Sequence, residues 1–235
     1  MGLLAFPTEN RLVSISDDGR LCLTDIASGT LIEKITPLES CVFPLKVLRH
    51  VRNSIFAFCD GNSSIFIYDF NPSLTCLFHQ KLENCEEIRG LDVLHNTIIA
   101  GQLSGTVNIW ECTAGREKLT KKSATFQAKN GIREICIRQT PRREVIIADN
   151  TGVVNIHCLT TLQPVMVLQA HTDVITSMHW FEGEQILMTG AKDKSVKFWR
   201  FPPVWIDDGD LKSHVPPPIS VKKDESLAEK KAEPV

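Results

Sequence analysis

A repeat constrains this chain of 235 residues more than any other feature. Five short apolar segments follow one another: 21–25, 65–69, 107–111, 153–157 and 196–200. Their marker residues Thr24, Tyr68, Trp110, His157 and Trp199 fall at intervals of 44, 42, 47 and 42 residues. Each segment follows a turn rich in Gly, Asp, Asn or Ser, such as Asp17-Asp18-Gly19 or Asn150-Thr151-Gly152. Before each turn lies another apolar run, such as 54–59 or 144–148. Two short apolar runs about a tight turn are a hairpin. A period in the forties made only of hairpins excludes ankyrin, tetratricopeptide and leucine-rich arrays. It predicts an all-β fold of small antiparallel sheets packed side by side.

The last unit is the most explicit. It opens with Gln169-Ala170-His171-Thr172-Asp173 and continues with Met188-Thr189-Gly190-Ala191-Lys192-Asp193-Lys194-Ser195-Val196-Lys197-Phe198-Trp199. This resembles a WD40 repeat, with its Gly/Ala-His pair followed by Ser/Thr-Gly-x-x-Asp-x-x-Val-Lys-x-Trp. The resemblance implies a WD40-like β-propeller and a hydrogen-bonded tetrad in the last blade, formed by His171, Thr189, Asp193 and Trp199. The earlier units depart from the pattern. Unit one keeps Ser14 and Asp18 but has Thr24 for the Trp. Unit three keeps Trp110 but has Ala100 and Ser104, and unit four carries Lys129, Ile147, Thr151 and His157. The blades are expected at about 1–36, 41–80, 85–128, 129–169 and 170–206, with 207–235 a disordered Pro-rich, charged tail. Aligning unit one with unit five places Met1 inside a first strand. Since propellers of this family mostly have about seven blades, the expectation is an N-terminally truncated ring.

Composition narrows the function. The 26 Lys+Arg nearly balance the 28 Asp+Glu, so net charge makes no case for nucleic acid or an acidic membrane. No apolar run is long enough for a spanning helix. The eight cysteines are scattered singly, as expected of reduced thiols in a cytoplasmic or nuclear protein rather than of a disulfide framework. The seven histidines form no metal-spaced cluster. There is no nucleophile elbow, phosphate loop or dinucleotide fingerprint. The expectation is therefore a non-catalytic protein without cofactor or metal.

What remains is binding. The resemblance implies a scaffold that holds a protein partner on one face of the disc, through the variable loops that a rigid frame presents. The candidates are the incoming-loop and turn residues Lys129, Arg133, Asp173, Lys192, Glu86 and Arg89. Residues 115–144 also hold nine Lys/Arg against three Glu, including Arg142 and Arg143. Arg49 and Arg52 are read as the equivalent hairpin two units earlier. These four arginines support the alternative, a basic end that binds nucleic acid, phosphoinositide or another anionic lipid.

Overall fold

The computed structural model describes residues 2–16, 18–36, 46–61, 63–82, 85–94, 97–112, 119–121, 126–139, 143–201 and 218–219. The repeat appears as five antiparallel sheets in chain order. The first holds β1 (Gly2–Phe6), β2 (Arg11–Ile15), β3 (Leu21–Asp25) and β4 (Leu31–Ile35), with one 3-10 turn at Pro7–Glu9. The second holds β5 (Lys46–Arg52), β6 (Ile55–Cys59), β7 (Ser64–Asp69) and β8 (Thr75–Lys81). The third holds β9 (Ile88–Leu94), β10 (Thr97–Gln102), β11 (Thr106–Cys112) and two short strands on β11, β12 (Leu119–Lys121) and β13 (Phe126–Gln127). The fourth holds β14 (Ile132–Arg138), β15 (Glu144–Asp149), β16 (Val153–Cys158) and β17 (Pro164–Gln169). The fifth holds β18 (Ile175–Phe181), β19 (Ile186–Ala191), β20 (Val196–Arg200) and β21 (Pro218–Ile219).

Phe198 pairs with Ile219 and Trp199 with Pro218, so residues 218–219 supply the fourth strand. A sheet edge is where a proline belongs, because its missing N–H then removes no ladder bond. No described helix is long and apolar enough to cross a membrane.

The first strand of each sheet, its lead strand, packs beside the next one. β1 contacts β5, β5 contacts β9, β9 contacts β14, and β14 contacts β18. Close approach is permitted by Gly90, where a Cβ would lie 2.9 Å from Ile135 N and 3.0 Å from the Glu134 carbonyl carbon. The apolar cores lie between sheets. Phe6, Val13, Ile15 and Leu21 pack on Phe56, Phe58, Phe66 and Tyr68 at the first junction. Ile67 and Phe78 meet Leu91 and Trp110 at the second. Ile99 and Val107 meet Ile135 and Val145 at the third. Ile146 and Met166 meet Trp180 and Trp199 at the fourth. A strand apolar on alternate residues buries only one face, but a strand between two neighbours needs both. Hence β6 and β15 are buried along their whole length.

The fourth junction also buries a charge. Arg138 and Glu144 are both fully buried, with Arg138 Nη1 3.1 Å from Glu144 Oε2. Arg138 Nη2 donates to Gln185 Oε1 at 2.8 Å, and the guanidinium lies over the Trp180 ring at 5.2 Å. Charge-assisted bonds and ring stacking repay desolvation that an unpaired guanidinium could not bear.

Candidate partner-binding end

The register sets which residues share an end. Ile88 pairs with Gln102, Ile132 with Asp149 and Ile175 with Ala191. The starts of three lead strands and the turns 103–105, 150–152 and 192–195 therefore lie together. Arg89 and Arg133 are half-buried there, while Glu86, Lys129, Asp173 and Lys192 are exposed. All six sequence candidates thus come to one end of the sheet array.

The turns at this end are rigidly tied. In the fifth sheet His171 Nδ1 lies 2.9 Å from Asp193 Oδ2, and His171 Nε2 lies 2.8 Å from Thr189 Oγ1. Trp199 Nε1 donates to the same Thr189 oxygen at 3.0 Å. A carboxylate only accepts and an indole only donates, so the protons run one way. Trp199 donates to Thr189, Thr189 donates to His171 Nε2, and His171 Nδ1–H donates to Asp193. Asp193 also accepts from Ser195 Oγ at 2.6 Å and from Ser195 N at 3.0 Å. These bonds, the Ser195 hydroxyl first, hold its carboxyl well below the usual carboxylate range.

The other turns use substitutes that the repeat pattern does not reveal. Asp149 is fully buried. Its Oδ1 accepts from Thr151 N and Thr151 Oγ1, both at 2.8 Å, and from Val153 N at 2.9 Å. Its Oδ2 accepts from Asn130 Nδ2 at 2.8 Å. Asp60, also fully buried, accepts from Ser64 N at 2.7 Å. Gly152 closes the fourth turn at a φ of 86°, where a Cβ would sit 2.3 Å from the His171 carbonyl oxygen. A short Asp-Asn-Thr-Gly string before a strand was the available signal.

The basic end separates on inspection. Arg49 lies in mid-strand β5 opposite Ala57, not in a hairpin. Its guanidinium crosses lead strand β9 to reach β14, with Nη2 3.0 Å from Glu134 Oε2 and Nε 3.9 Å from Asp92 Oδ1. Arg49 is therefore withdrawn from any exposed basic patch, because two half-buried carboxylates hold it. Arg52 ends β5. Arg143 is exposed at the end opposite the candidate turns, where Arg138 pairs with Glu144. Arg142 lies outside the described residues. Burial pushes the carboxyls of Asp92 and Glu134 up, against the pull of Arg49, and pushes the fully buried Cys136 thiol well above its ordinary value. Among the described residues no three His, Cys, Asp or Glu side chains are placed to hold a metal ion, and Cys22, Cys59, Cys76, Cys85, Cys136 and Cys158 are not joined in disulfides.

Comparison with known proteins adds to this geometry. The family described as WD domain, G-beta repeat matches residues 162–200, which span the tetrad. No curated protein matches the chain. Among solved structures, the fold is similar to the computationally designed Ika8 protein, with a TM-score of 0.61 and 20% identity over 84% of this chain and 57% of that one. It is also similar to a chain of the Mitotic Checkpoint Complex, with a TM-score of 0.68 and 12% identity over 86% of this chain and 60% of that one. The chain thus spans about three fifths of the length of these two chains. At such identities the likeness is one of fold.

Proposed function

We propose that this chain, an array of WD40-type blades with a WD40 repeat at residues 162–200, is a non-catalytic scaffold that holds a protein partner within a multiprotein assembly. One observation carries the reading: Glu86, Arg89, Lys129, Arg133, Asp173 and Lys192 stand at one end, beside turns pinned by buried hydrogen bonds. A surface already rigid loses little entropy when a partner docks. A cytoplasmic setting belongs to the same proposal and suits the unbridged thiols among the described residues. The alternative, phosphate binding through basic hairpins, loses its anchor because Arg49 is spent on Glu134 and Asp92.

The test is a triple reversal, Lys129→Glu, Asp173→Lys and Lys192→Glu, assayed by quantitative affinity capture from cells. All three side chains are exposed, so the thermal midpoint should stay within about 2 °C of wild type. Stoichiometric partners of the wild type should be lost. An unchanged set of partners would count against this end as the binding face.

A further inference from the structure

The lead strands share an irregularity. In the fourth sheet Ile132 pairs with Asp149 but Glu134 pairs with Ala148, so Arg133 is an extra residue bulged out of the ladder. In the third sheet Gln102 pairs with Ile88 and Gly101 with Gly90, which bulges Arg89. The second and fifth sheets bulge Val47 and Thr176 at the corresponding place. A bulge frees one side chain from the inward–outward alternation of the strand and re-aims it. Here the same position is bulged in four consecutive sheets, and two neighbours in that row are arginines.

Those two are held side by side. Gly90, the residue after Arg89, lies directly against the Glu134–Ile135 backbone, which follows Arg133. Both arginines have a buried Nε with no acceptor. The nearest carboxylate in sequence to Arg133 is Glu134, and it is taken by Arg49 at 3.0 Å. No described carboxylate pairs with Arg133. Arg89 meets Glu87 at 3.0 Å, in a pair that leaves both side chains 32% exposed. That half-buried pair occupies Nη2 of Arg89. Two part-exposed guanidiniums on adjacent lead strands, each with its buried Nε left without an acceptor, favour an anion that meets their outer nitrogens.

We infer that Arg89 and Arg133 form a two-guanidinium clamp for side-chain carboxylates of an acidic peptide segment in a partner protein. The inference rests on the reading of this end as the partner-binding face and adds the chemistry of what binds. Glu86, Glu87 and Asp173 share the end. They would repel a continuous phosphate backbone, whereas discrete carboxylates can be spaced between them.

The test is fluorescence anisotropy with the full chain and a labelled peptide of alternating Glu and Ser. The comparison probes are the same peptide with Gln for Glu and an oligothymidylate strand. The acidic peptide should bind most tightly of the three. Arg89→Gln and Arg133→Gln should each weaken it by roughly tenfold or more, the usual worth of a charge-assisted bond. Arg133→Lys should retain part of the affinity, and Arg143→Gln at the opposite end should retain all of it. Thermal melts that match wild type keep a folding defect from imitating these losses. Equal binding by both Gln variants, or tighter binding of the oligonucleotide, would overturn the clamp. If the clamp fails while capture still depends on Lys129, Asp173 and Lys192, only the acidic chemistry falls. If both fail, the scaffold reading falls as well.

Discussion

At the scale of single residues, the fifth sheet's polar chain gives the sharpest test. Thr189→Val keeps the shape of a fully buried side chain but removes the hydroxyl between Trp199 Nε1 and His171 Nε2. Each orphaned group should cost about 1–3 kcal/mol, read as a lower midpoint in urea. Trp199→Ala adds a cavity and should cost about 3–5 kcal/mol. Titratable residues pull stability in opposite directions. Asp193 is held below its ordinary 3.8, so its contribution is present above that pH and fades in stronger acid. Glu134 is raised above 4.5, so its contribution is complete below that pH and declines as pH climbs through the folded value. Glu134→Gln should therefore gain on wild type as pH rises from about 4 to 7, in chemical melts at each pH. A constant difference would mean that burial does not disfavour this carboxylate. The tetrad was legible because the last unit carries its four residues at the spacing of the WD40 pattern. Arg49 was not. Its strand looked like a charged hairpin, and its carboxylates come from strands 43 and 85 residues away.

At the scale of elements, strand positions followed from apolar runs and turn residues, but strand contacts did not. Nothing in the Ile88-Arg89-Gly90 string says that its glycine must admit another backbone. Gly90→Ala should force β9 away from β14 and cost about 1–3 kcal/mol in denaturant melts. Gly183→Ala, which meets nothing within 4 Å, is the matched control and should be close to neutral. Arg138, one of the nine cations of residues 115–144, lies fully buried. Removing its partner with Glu144→Ala leaves that charge uncompensated and should cost about 3–5 kcal/mol. Replacing Arg138 with Met and Glu144 with Leu together should cost far less, and a double-mutant cycle would expose the difference. Equal losses in the single and double variants would show that the pair contributes only by packing. The row of bulges escaped the sequence because an extra residue in a ladder is defined by its partner strand.

At the scale of the whole molecule, the number of units was written in the repeat, while the placement of the cores was not. Each apolar cluster joins two consecutive sheets, so the described chain has four junctions rather than one centre. The middle three sheets are gripped on both faces. The first and fifth each share one of these clusters, and Leu3 and Val196 on them are 71% and 62% exposed. Opening a middle sheet requires two junctions to part, and hydrogen exchange should show it. Amides of β6 and β15 should outlast those of β2 and β19 under native conditions, and uniform protection would contradict serial cores. The same arrangement means that damage stays local. A wedge in one junction, from a bulky substitution or an oxidised side chain, need not reach the others, as a cracked rung leaves the rest of a ladder standing. Such a molecule degrades by stages rather than at a stroke. The Arg89 and Arg133 pair, on the third and fourth sheets, lies in the stretch that would be the last to loosen.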